Sequence, residues 1–378
     1  MAKKNLFYFL LILFTIITCY LVLVLGNAFL HRAYIQKASN YNEDALNTEA
    51  QRYLDEDKVQ IENALKDGYI PVLPPVFFDY PKRIKSLQNL VEINKFIPLG
   101  AQPNTKVYYC NEGYGLIKYN SDRYGFRNPD YLWDDMESTD VLLIGDSFVH
   151  GACVEEANTF RSHISKTYPI TINLGMSGSG PNNYLRTAEY FVEKTKPKKV
   201  IIFIFANDNE GRYYSIFNKD FYNNPYHLLK NNNKSNLKNF YNKASNLSQI
   251  EKIEPMKMNL FIRLKDDFKL EFIRKLIFNK GGVITDLIDN VVRLCNENSC
   301  DPYFVYLPTS QYWRPDSRQD EFKDHIKLYL QDHHDLKNNF FDASEIINDD
   351  LSLFAPKGPH YSNEGYELIS SKIIEMIK

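Results

Sequence analysis

The sequence predicts an α/β protein, a three-layer sandwich in which helices cover both faces of a central parallel sheet. From residue 139 onward, short apolar runs alternate with longer segments whose apolar residues recur at helical spacing. Alternation of strands and helices is typical of parallel sheets with crossover helices. The predicted strands cover residues 140–145, 170–175, 199–206, 302–308 and 339–343, and the predicted helices cover residues 157–167, 182–194, 283–297, 318–332 and 363–377.

Length and charge narrow the classes of protein that this chain fits. With 378 residues, 44% of them hydrophobic, the chain can bury one large core and still carry an appendage. Its formal net charge of −2 gives no basis for binding nucleic acid or an anionic membrane surface. We therefore expect no nucleic-acid partner.

The first residues of the chain predict a membrane anchor. Residues 6–25 are uncharged and apolar, roughly the 20 residues that a helix needs to cross a bilayer core. Lys3 and Lys4 precede this stretch and favour a cytoplasmic N-terminus. A cleaved signal peptide is the alternative, since residues 26–28 offer a small-x-small cleavage site, but the long apolar core favours an uncleaved anchor.

The anchor and the predicted sheet divide the chain into parts. Everything beyond the anchor is expected outside the cytoplasm, in the periplasm or at the cell surface. The parts are a cytoplasmic tip (1–4), a transmembrane anchor (5–26), an extracytoplasmic lead-in (27–138) and the α/β domain (139–378), which carries an insertion (211–282).

Two segments outside the predicted sheet have a character of their own. In the lead-in, residues 42–67 are charged and helix-favouring, which predicts a stalk or surface helix. Residues 106–130 alternate aromatic residues with Gly and Asn, which predicts a small β element that either shapes a wall of the cleft or is purely structural. The insertion is polar and then amphipathic. A lid, a surface for a membrane or partner, and a surface excursion are all open interpretations of it.

Four cysteines follow the anchor, and an exported domain favours disulfides between them. Cys295 and Cys300 close a tight loop and form the simplest pair, which leaves Cys110 with Cys153. Buried free thiols are the alternative. The spacing of Cys and His residues does not resemble a zinc site, and we expect no metal and no cofactor.

Polar residues and glycines follow the predicted strands where a ligand would bind. Ser147 follows the first strand, Gly178 the second and Asn207 the third, and His360 immediately precedes the last helix. Because ligands of doubly wound sheets bind beyond the carboxyl ends of the strands, we expect these residues to converge on one cleft. A serine at such a turn either caps the helix or acts as a nucleophile, which also requires a base and oxyanion donors.

Three further residues near this cleft are weaker candidates. Asp146 and Asp208 flank Ser147 and Asn207, and we expect both to accept hydrogen bonds from backbone N–H groups in tight turns. His150 is an alternative base, but it lies on the first turn after Ser147, from which a side chain seldom reaches the serine from the side of attack.

The four blocks, taken in order, resemble the SGNH/GDSL hydrolase superfamily, a flavodoxin-like fold of esterases, lipases and carbohydrate O-acyl enzymes. The blocks are GDSF with Ser147, NLGMSG with Gly178, AND with Asn207, and His360 before SNEGY, and the resemblance covers roughly residues 139–378. It implies that Ser147 is the nucleophile and His360 the base. It also implies an oxyanion hole made by the Ser147 and Gly178 N–H groups and the Asn207 side chain.

One position departs from the pattern of this superfamily, which usually has an aspartate three residues before the histidine. Here that position is Lys357, which accepts no hydrogen bond when charged and would disfavour an imidazolium nearby. Three explanations are open: a Ser–His dyad oriented by a backbone carbonyl, an acid supplied from elsewhere, or an inactive descendant. We favour the first two. Candidate acids are Asp342, Asp349 and Asp350.

The resemblance implies an extracytoplasmic esterase or O-acyltransferase that acts through an acyl-serine on O-acyl groups, above all O-acetyl groups, of a cell-envelope carbohydrate. Hydrolysis and transfer share the acyl-enzyme, and the sequence leaves both open; transfer would add an acyl-donor partner in the membrane. The alternative is a catalytically impaired subunit that binds carbohydrate or serves in assembly, which the lysine at position 357 favours.

Overall fold

The computed structural model describes six stretches of the chain, together with Tyr8, Phe14, Thr15 and Thr18. The stretches are residues 57–75, 98–134, 139–210, 282–310, 319–347 and 350–378. The predicted cytoplasmic tip, the rest of the predicted anchor, the first part of the predicted stalk and the insertion up to residue 281 lie outside them. No helix within the described residues is long and apolar enough to cross a membrane.

The regular elements are numbered in chain order. The strands are β1 (Ile70–Pro71), β2 (Lys106–Tyr108), β3 (Lys118–Asn120), β4 (Val141–Ile144), β5 (Thr171–Asn173), β6 (Lys199–Phe205), β7 (Asp301–Leu307) and β8 (Phe340–Asp342). The helices of the α/β domain are α1 (Ser147–His150), α2 (Phe160–Ile164), α3 (Pro181–Thr195), α4 (Gly282–Asn298), α5 (Gln319–His334), α6 (Ser344–Ile347) and α7 (Asn363–Met376). Residues 57–66, at the end of the predicted stalk, are also helical.

The α/β domain is built on a five-stranded sheet in which every neighbouring pair is parallel. The strand order is β5-β4-β6-β7-β8. Counted within the sheet, this order is 2-1-3-4-5, the order of flavodoxin-like doubly wound folds, whose switch point lies between strands 1 and 3. The predicted α/β fold with a parallel sheet is confirmed, and the five strands overlap the five predicted runs.

The apolar runs form this sheet because they can bury both faces. In β4, Leu142 and Ile144 pack into one hydrophobic cluster, whereas Val141 and Leu143 pack into another on the opposite face. Side chains of α3, α4 and α5 belong to the first cluster, and side chains of α2 and α7 belong to the second. This gives the three predicted layers, helix, sheet and helix.

The lead-in forms a small sheet of its own, as predicted for residues 106–130. Strand β2 pairs antiparallel with β3 and parallel with β1. Val107, Phe126 and Trp133 are nevertheless buried in the same hydrophobic cluster as Leu142 and Ile172 of the main sheet. The described part of the lead-in therefore shares its core with the α/β domain.

A buried network of hydrogen bonds around Asp122 joins the lead-in to the end of strand β5. Asp122 accepts hydrogen bonds from the side chains of Asn128 and Trp133 and from two backbone N–H groups of its own turn. The Asn128 side chain in turn bonds both backbone groups of Asn173. Burial raises the pKa of Asp122 to about 6, although these hydrogen bonds act to lower it. These hydrogen bonds thus join the turn to the carboxyl end of β5.

Both predicted disulfides are present. The bond between Cys110 and Cys153 joins the lead-in to the segment after α1, across a sequence separation of 43. The bond between Cys295 and Cys300 spans a separation of 5 and closes the turn between α4 and β7. Each bond lowers the conformational entropy of the unfolded chain by closing a loop. This stabilises the folded state by about 4 kcal/mol for the longer loop and about 2 kcal/mol for the shorter.

Candidate active site

Ser147 lies at the switch point of the sheet, where a doubly wound fold binds its ligand. Strand β4 ends at Ile144, and α1 begins at Ser147. The Asp146 side chain caps α1 by accepting a hydrogen bond from the Phe148 N–H group at 3.0 Å. The predicted structural role of Asp146 therefore holds. Because the neighbouring carboxylate provides the cap, the hydroxyl of Ser147 is left for another partner.

That partner is His360. The Nε2 atom of His360 lies 2.8 Å from Ser147 Oγ. His360 ends a loop that is closed by a backbone bridge between Phe354 and Tyr361, and its ring packs 4.7 Å from the ring of Phe148. The fold therefore brings together a serine and a histidine that are 213 residues apart.

A glutamate from the lead-in completes the arrangement. Oε1 of Glu112 lies 2.7 Å from Nδ1 of His360, and Oε2 accepts a hydrogen bond from the His360 backbone N–H group at 3.1 Å. An ionised carboxylate can only accept, so Nδ1 carries the ring proton and Nε2 is free to accept from the Ser147 hydroxyl. The contacts themselves thus select the tautomer in which the imidazole can act as a base toward serine.

Two of the three aspartates predicted as candidate acids, Asp342 and Asp350, make other contacts. The carboxylate of Asp342 bonds Ser344 and lies 3.2 Å from the Lys323 ammonium group, and Asp350 accepts from the N–H and hydroxyl groups of Ser352. Asp349 lies outside the described residues. Asp342 and Asp350 are thus held in local contacts, and the carboxylate that contacts His360 is that of Glu112.

Position 357 contributes its backbone where the superfamily pattern has an acidic side chain. The Lys357 N–H group donates to the backbone carbonyl oxygen of Glu112 at 3.0 Å. Next to it, a Cβ atom on Gly358 would overlap the carboxylate of Glu112. The loop before His360 is therefore shaped to receive Glu112, and a lysine is compatible with this loop because its side chain is not the group that orients the histidine.

The predicted oxyanion donors lie at the ends of the two strands that flank β4. Gly178 follows β5 in a turn and has a φ of 73°, a conformation that favours glycine. Asn207 is half-buried in the short helix that follows β6. Asp208 accepts from the Phe205 N–H group at 2.9 Å, which is the structural role predicted for it. Gly178 and Asn207 are thus placed on both sides of the strand that leads to Ser147.

The alternative base, His150, points into the protein. Its side chain is fully buried, and its Nε2 atom lies 2.6 Å from the hydroxyl oxygen of Tyr119. Burial first, and then the nearby Arg127 guanidinium, lowers the pKa of His150 to about 3, so this imidazole is neutral at physiological pH. His150 therefore packs against the lead-in, and His360 is the imidazole that contacts the serine.

One group of side chains in the described part of the chain has the spacing of metal ligands. Ligand atoms of Glu112, Cys153 and His360 lie within 4.8 Å of one another. The sulfur of Cys153 is bonded to Cys110, whereas a metal ligand would have to be a thiolate. The oxidised protein therefore lacks one of the three ligands that this group would need.

Comparison with solved structures finds proteins that are similar to this chain. No family model matches the chain, and no curated protein matches it. A protein assigned to the G-D-S-L lipolytic family from Desulfitobacterium hafniense is 17% identical, with a TM-score of 0.37 over 63% of this chain and 99% of its own.

Two carbohydrate esterases match this chain with similar identity, TM-score and coverage. A family 3 carbohydrate esterase from Clostridium thermocellum is 14% identical, with a TM-score of 0.35 over 64% of this chain and 98% of its own. A catalytic mutant of an acetylxylan esterase from Geobacillus stearothermophilus is 16% identical, with a TM-score of 0.34 over 64% of this chain and 96% of its own. Because these identities and TM-scores are low, the interpretation of the site rests on the contacts among Ser147, His360 and Glu112.

Sequence reasoning missed Glu112 and the space that Gly358 leaves for it. A signal for the acid was present in the predicted disulfide. Pairing Cys110 with Cys153 places the residues around position 110 close to the turn that carries Ser147, and Glu112 is the carboxylate that lies two residues from Cys110. No comparable sequence signal exists for Gly358, because its role depends on a side chain 246 positions away (358 − 112).

Proposed function

We propose that the protein is a serine ester hydrolase whose triad consists of Ser147, His360 and Glu112. The observation that carries the proposal is the continuous chain of contacts from Glu112 through His360 to Ser147, with distances of 2.7 Å and 2.8 Å. In this arrangement the imidazole can take the serine proton while the carboxylate orients the ring and stabilises the imidazolium. A helix cap or a packing contact does not need this three-part chain.

The reaction follows from these contacts. Ser147 Oγ attacks the carbonyl carbon of an ester while its proton passes to Nε2 of His360. The tetrahedral intermediate collapses, the alcohol leaves with the proton from His360, and an acyl-serine remains. Water then attacks this acyl group while His360 takes its proton. The bond to Ser147 Oγ breaks, Oγ takes the proton back from His360, and the carboxylic acid is released. The Glu112 carboxylate faces the positive charge that forms on the ring in both steps.

The negative charge that develops on the carbonyl oxygen needs donors. We assign this role to the N–H groups of Ser147 and Gly178 and to the side-chain amide of Asn207. Their places at the ends of β4, β5 and β6 support this assignment. In other serine hydrolases, one such donor is worth about 3 kcal/mol of transition-state stabilisation.

We propose an O-acyl group, above all O-acetyl, on a cell-envelope carbohydrate as the substrate, and an extracytoplasmic location for the domain. The resemblance of the four sequence blocks supports the substrate class. The two disulfides support an oxidising compartment, and the apolar residues 6–25 support attachment to a membrane. An acyl-donor partner in the membrane belongs to the proposal only if transfer is found.

The non-catalytic alternative loses its main support. It rested on the absence of an acid at position 357, and Glu112 occupies the corresponding place beside His360. A protein that only binds carbohydrate would gain nothing from holding an imidazole in the tautomer that accepts a serine proton.

The proposed function is tested on the purified full-length protein. We expect hydrolysis of an activated acetyl ester, release of acetate from an acetylated oligosaccharide, and a fluorophosphonate adduct that peptide mass spectrometry assigns to Ser147. Folded protein that gives neither turnover nor adduct would contradict the proposal. An unacetylated oligosaccharide added as acceptor separates the two reactions, since an acetylated acceptor reports transfer and free acetate reports hydrolysis.

Substituting Gly358 with alanine is expected to lower kcat about 10²- to 10³-fold, because the added methyl group occupies the place of the Glu112 carboxylate. Steady-state kinetics on the activated acetyl ester measure the effect. The variant Gly358→Ala/Glu112→Gln should be scarcely slower than Glu112→Gln alone, since both changes remove the same interaction. Additive losses in the double variant would show that Gly358 acts independently of Glu112.

A further inference from the structure

Glu112 lies at the tip of the β2–β3 hairpin and not on a strand of the main sheet. The last cross-strand hydrogen bonds join Tyr109 N to Ile117 O at 2.8 Å and Ile117 N to Cys110 O at 3.0 Å. Beyond Cys110 the chain turns, and the Glu112 carboxylate reaches His360 from this turn. The position of the acid therefore depends on what holds the hairpin tip.

The Cys110–Cys153 disulfide joins that tip to the segment that carries the nucleophile. Cys153 is 1% exposed and lies just beyond the end of α1. The N–H group of Ala152 donates to the carbonyl oxygen of Ser147 at 2.9 Å. The disulfide and this backbone hydrogen bond therefore connect the hairpin tip that carries Glu112 to the backbone of Ser147, independently of His360.

Contacts of Tyr109 and Tyr119 hold the base of the same hairpin. The Tyr109 ring stacks on the His150 ring of α1 at a centroid distance of 4.6 Å. The Tyr119 hydroxyl bonds His150 Nε2. The base of the hairpin thus packs against α1. The tip is held by the disulfide two residues from Glu112, by a hydrogen bond from Asn111 Nδ2 to Asp57 at 2.7 Å and by one from the Leu116 N–H group to Gln60 at 2.6 Å.

The second disulfide provides an internal comparison. Cys295 and Cys300 flank the turn that precedes β7, and β7 begins at Asp301. This turn lies at the amino end of a parallel strand, whereas the site lies beyond the carboxyl ends of the strands. The molecule therefore carries one disulfide at the site and one at the opposite edge of the sheet.

We propose that the Cys110–Cys153 disulfide is a positioning element that holds Glu112 on His360, so that full activity requires this pair to be oxidised. The inference rests on the proposed function. Loss of the bond leaves the Lys357 contact with the Glu112 backbone, the hydrogen bonds of Asn111 with Asp57 and within the turn, and the hydrogen bond from Leu116 N to Gln60. The acid is therefore displaced for part of the time and not removed.

The test compares Cys110→Ala/Cys153→Ala with the matched variant Cys295→Ala/Cys300→Ala in the full-length chain. We expect kcat to fall about 10- to 100-fold in the first, with KM nearly unchanged, and to stay within about twofold of the wild type in the second. Both are assayed at a temperature well below their own unfolding transitions. Wild-type turnover in Cys110→Ala/Cys153→Ala would overturn the proposal.

A double-mutant cycle that combines Glu112→Gln with the disulfide variant separates a specific displacement of Glu112 from a general loss of stability. In the wild type this substitution removes an acid that is in place, whereas in Cys110→Ala/Cys153→Ala the acid is already displaced. We expect its cost in kcat to shrink at least tenfold in the disulfide variant. An unchanged cost would mean that the acid stays in place without the disulfide, which would overturn the proposal.

Reduction of the wild-type protein gives a second measurement if the alanine variant does not fold. A dithiol thiolate attacks one sulfur, the S–S bond breaks, and the second thiolate resolves the mixed disulfide, which leaves two cysteine thiols and the reductant as a cyclic disulfide. Alkylation and mass spectrometry report which pair has opened. Activity should fall with the opening of Cys110–Cys153 and not of Cys295–Cys300, and folded reduced protein with full activity would overturn the proposal.

These outcomes differ from a failure of the proposed function. If the oxidised wild-type protein neither hydrolyses esters nor forms the serine adduct, the function itself is wrong. If the wild type is active and the Cys110→Ala/Cys153→Ala variant is equally active, only the positioning role is wrong.

Discussion

Replacing Glu112 with glutamine is expected to lower kcat by roughly 10³- to 10⁴-fold, with little change in KM. The amide nitrogen can donate to Nδ1 and so favour the tautomer that places the ring proton on Nε2, facing Ser147. The neutral amide also gives no stabilisation to the imidazolium that forms when the ring takes the serine proton. Steady-state kinetics on an activated acetyl ester measure the effect, and thermal unfolding checks that the variant is folded.

Asp350→Asn is the matched control for this experiment. It makes the same change of carboxylate to amide at an exposed turn, where Asp350 bonds Ser352. Activity of this variant should match the wild type. If Glu112→Gln is as active as Asp350→Asn, the contact between Glu112 and His360 has no catalytic role and the site would act as a dyad.

Replacing Ser147 with alanine is expected to lower kcat by about 10⁶-fold and to abolish the fluorophosphonate adduct. The reason is that the acyl-enzyme cannot form without the hydroxyl oxygen, whereas substrate binding and the oxyanion donors remain. The effect should exceed that of Glu112→Gln, since loss of the acid weakens the base but leaves the nucleophile. Single-turnover kinetics and intact mass after probe treatment measure both parts.

Ser165→Ala serves as the control for that change. The Ser165 hydroxyl donates to the carbonyl oxygen of Ser162 just beyond the end of α2. This variant should keep both turnover and the adduct. Turnover that survives in Ser147→Ala would place the nucleophile elsewhere and would remove the basis for the triad.

The fold was largely predictable because the apolar runs are long enough to bury both faces of a sheet. Strands β4 and β6 are buried almost throughout, and their sequences VLLI and KVIIFIF are nearly continuous apolar runs, as a strand buried on both faces requires. The short helices α1 and α6 were not predicted, since four residues carry no helical periodicity. Ser147 and His360 were found because each stands next to a predicted strand or helix in a recognisable block.

The acid could not be found in the same way. Glu112 precedes His360 by 248 residues and lies in a hairpin of the lead-in, outside the blocks that resemble the superfamily. Position 357 was judged by its side chain, whereas its backbone N–H group is what contacts Glu112. Side-chain identity is visible in a sequence, but a backbone contact between distant loops depends on the assembled core.

The order of the three side chains along the chain has a consequence for synthesis. A ribosome makes Glu112 first, then Ser147, and His360 only 213 residues after Ser147, followed by α7. Until the stretch that contains His360 and α7 has left the ribosome and docked, His360 is not beside the serine, which is chemically an ordinary alcohol. A nascent chain, or one cleaved before His360, would therefore carry an unactivated serine, and the proposed esterase activity would arise only once α7 has packed.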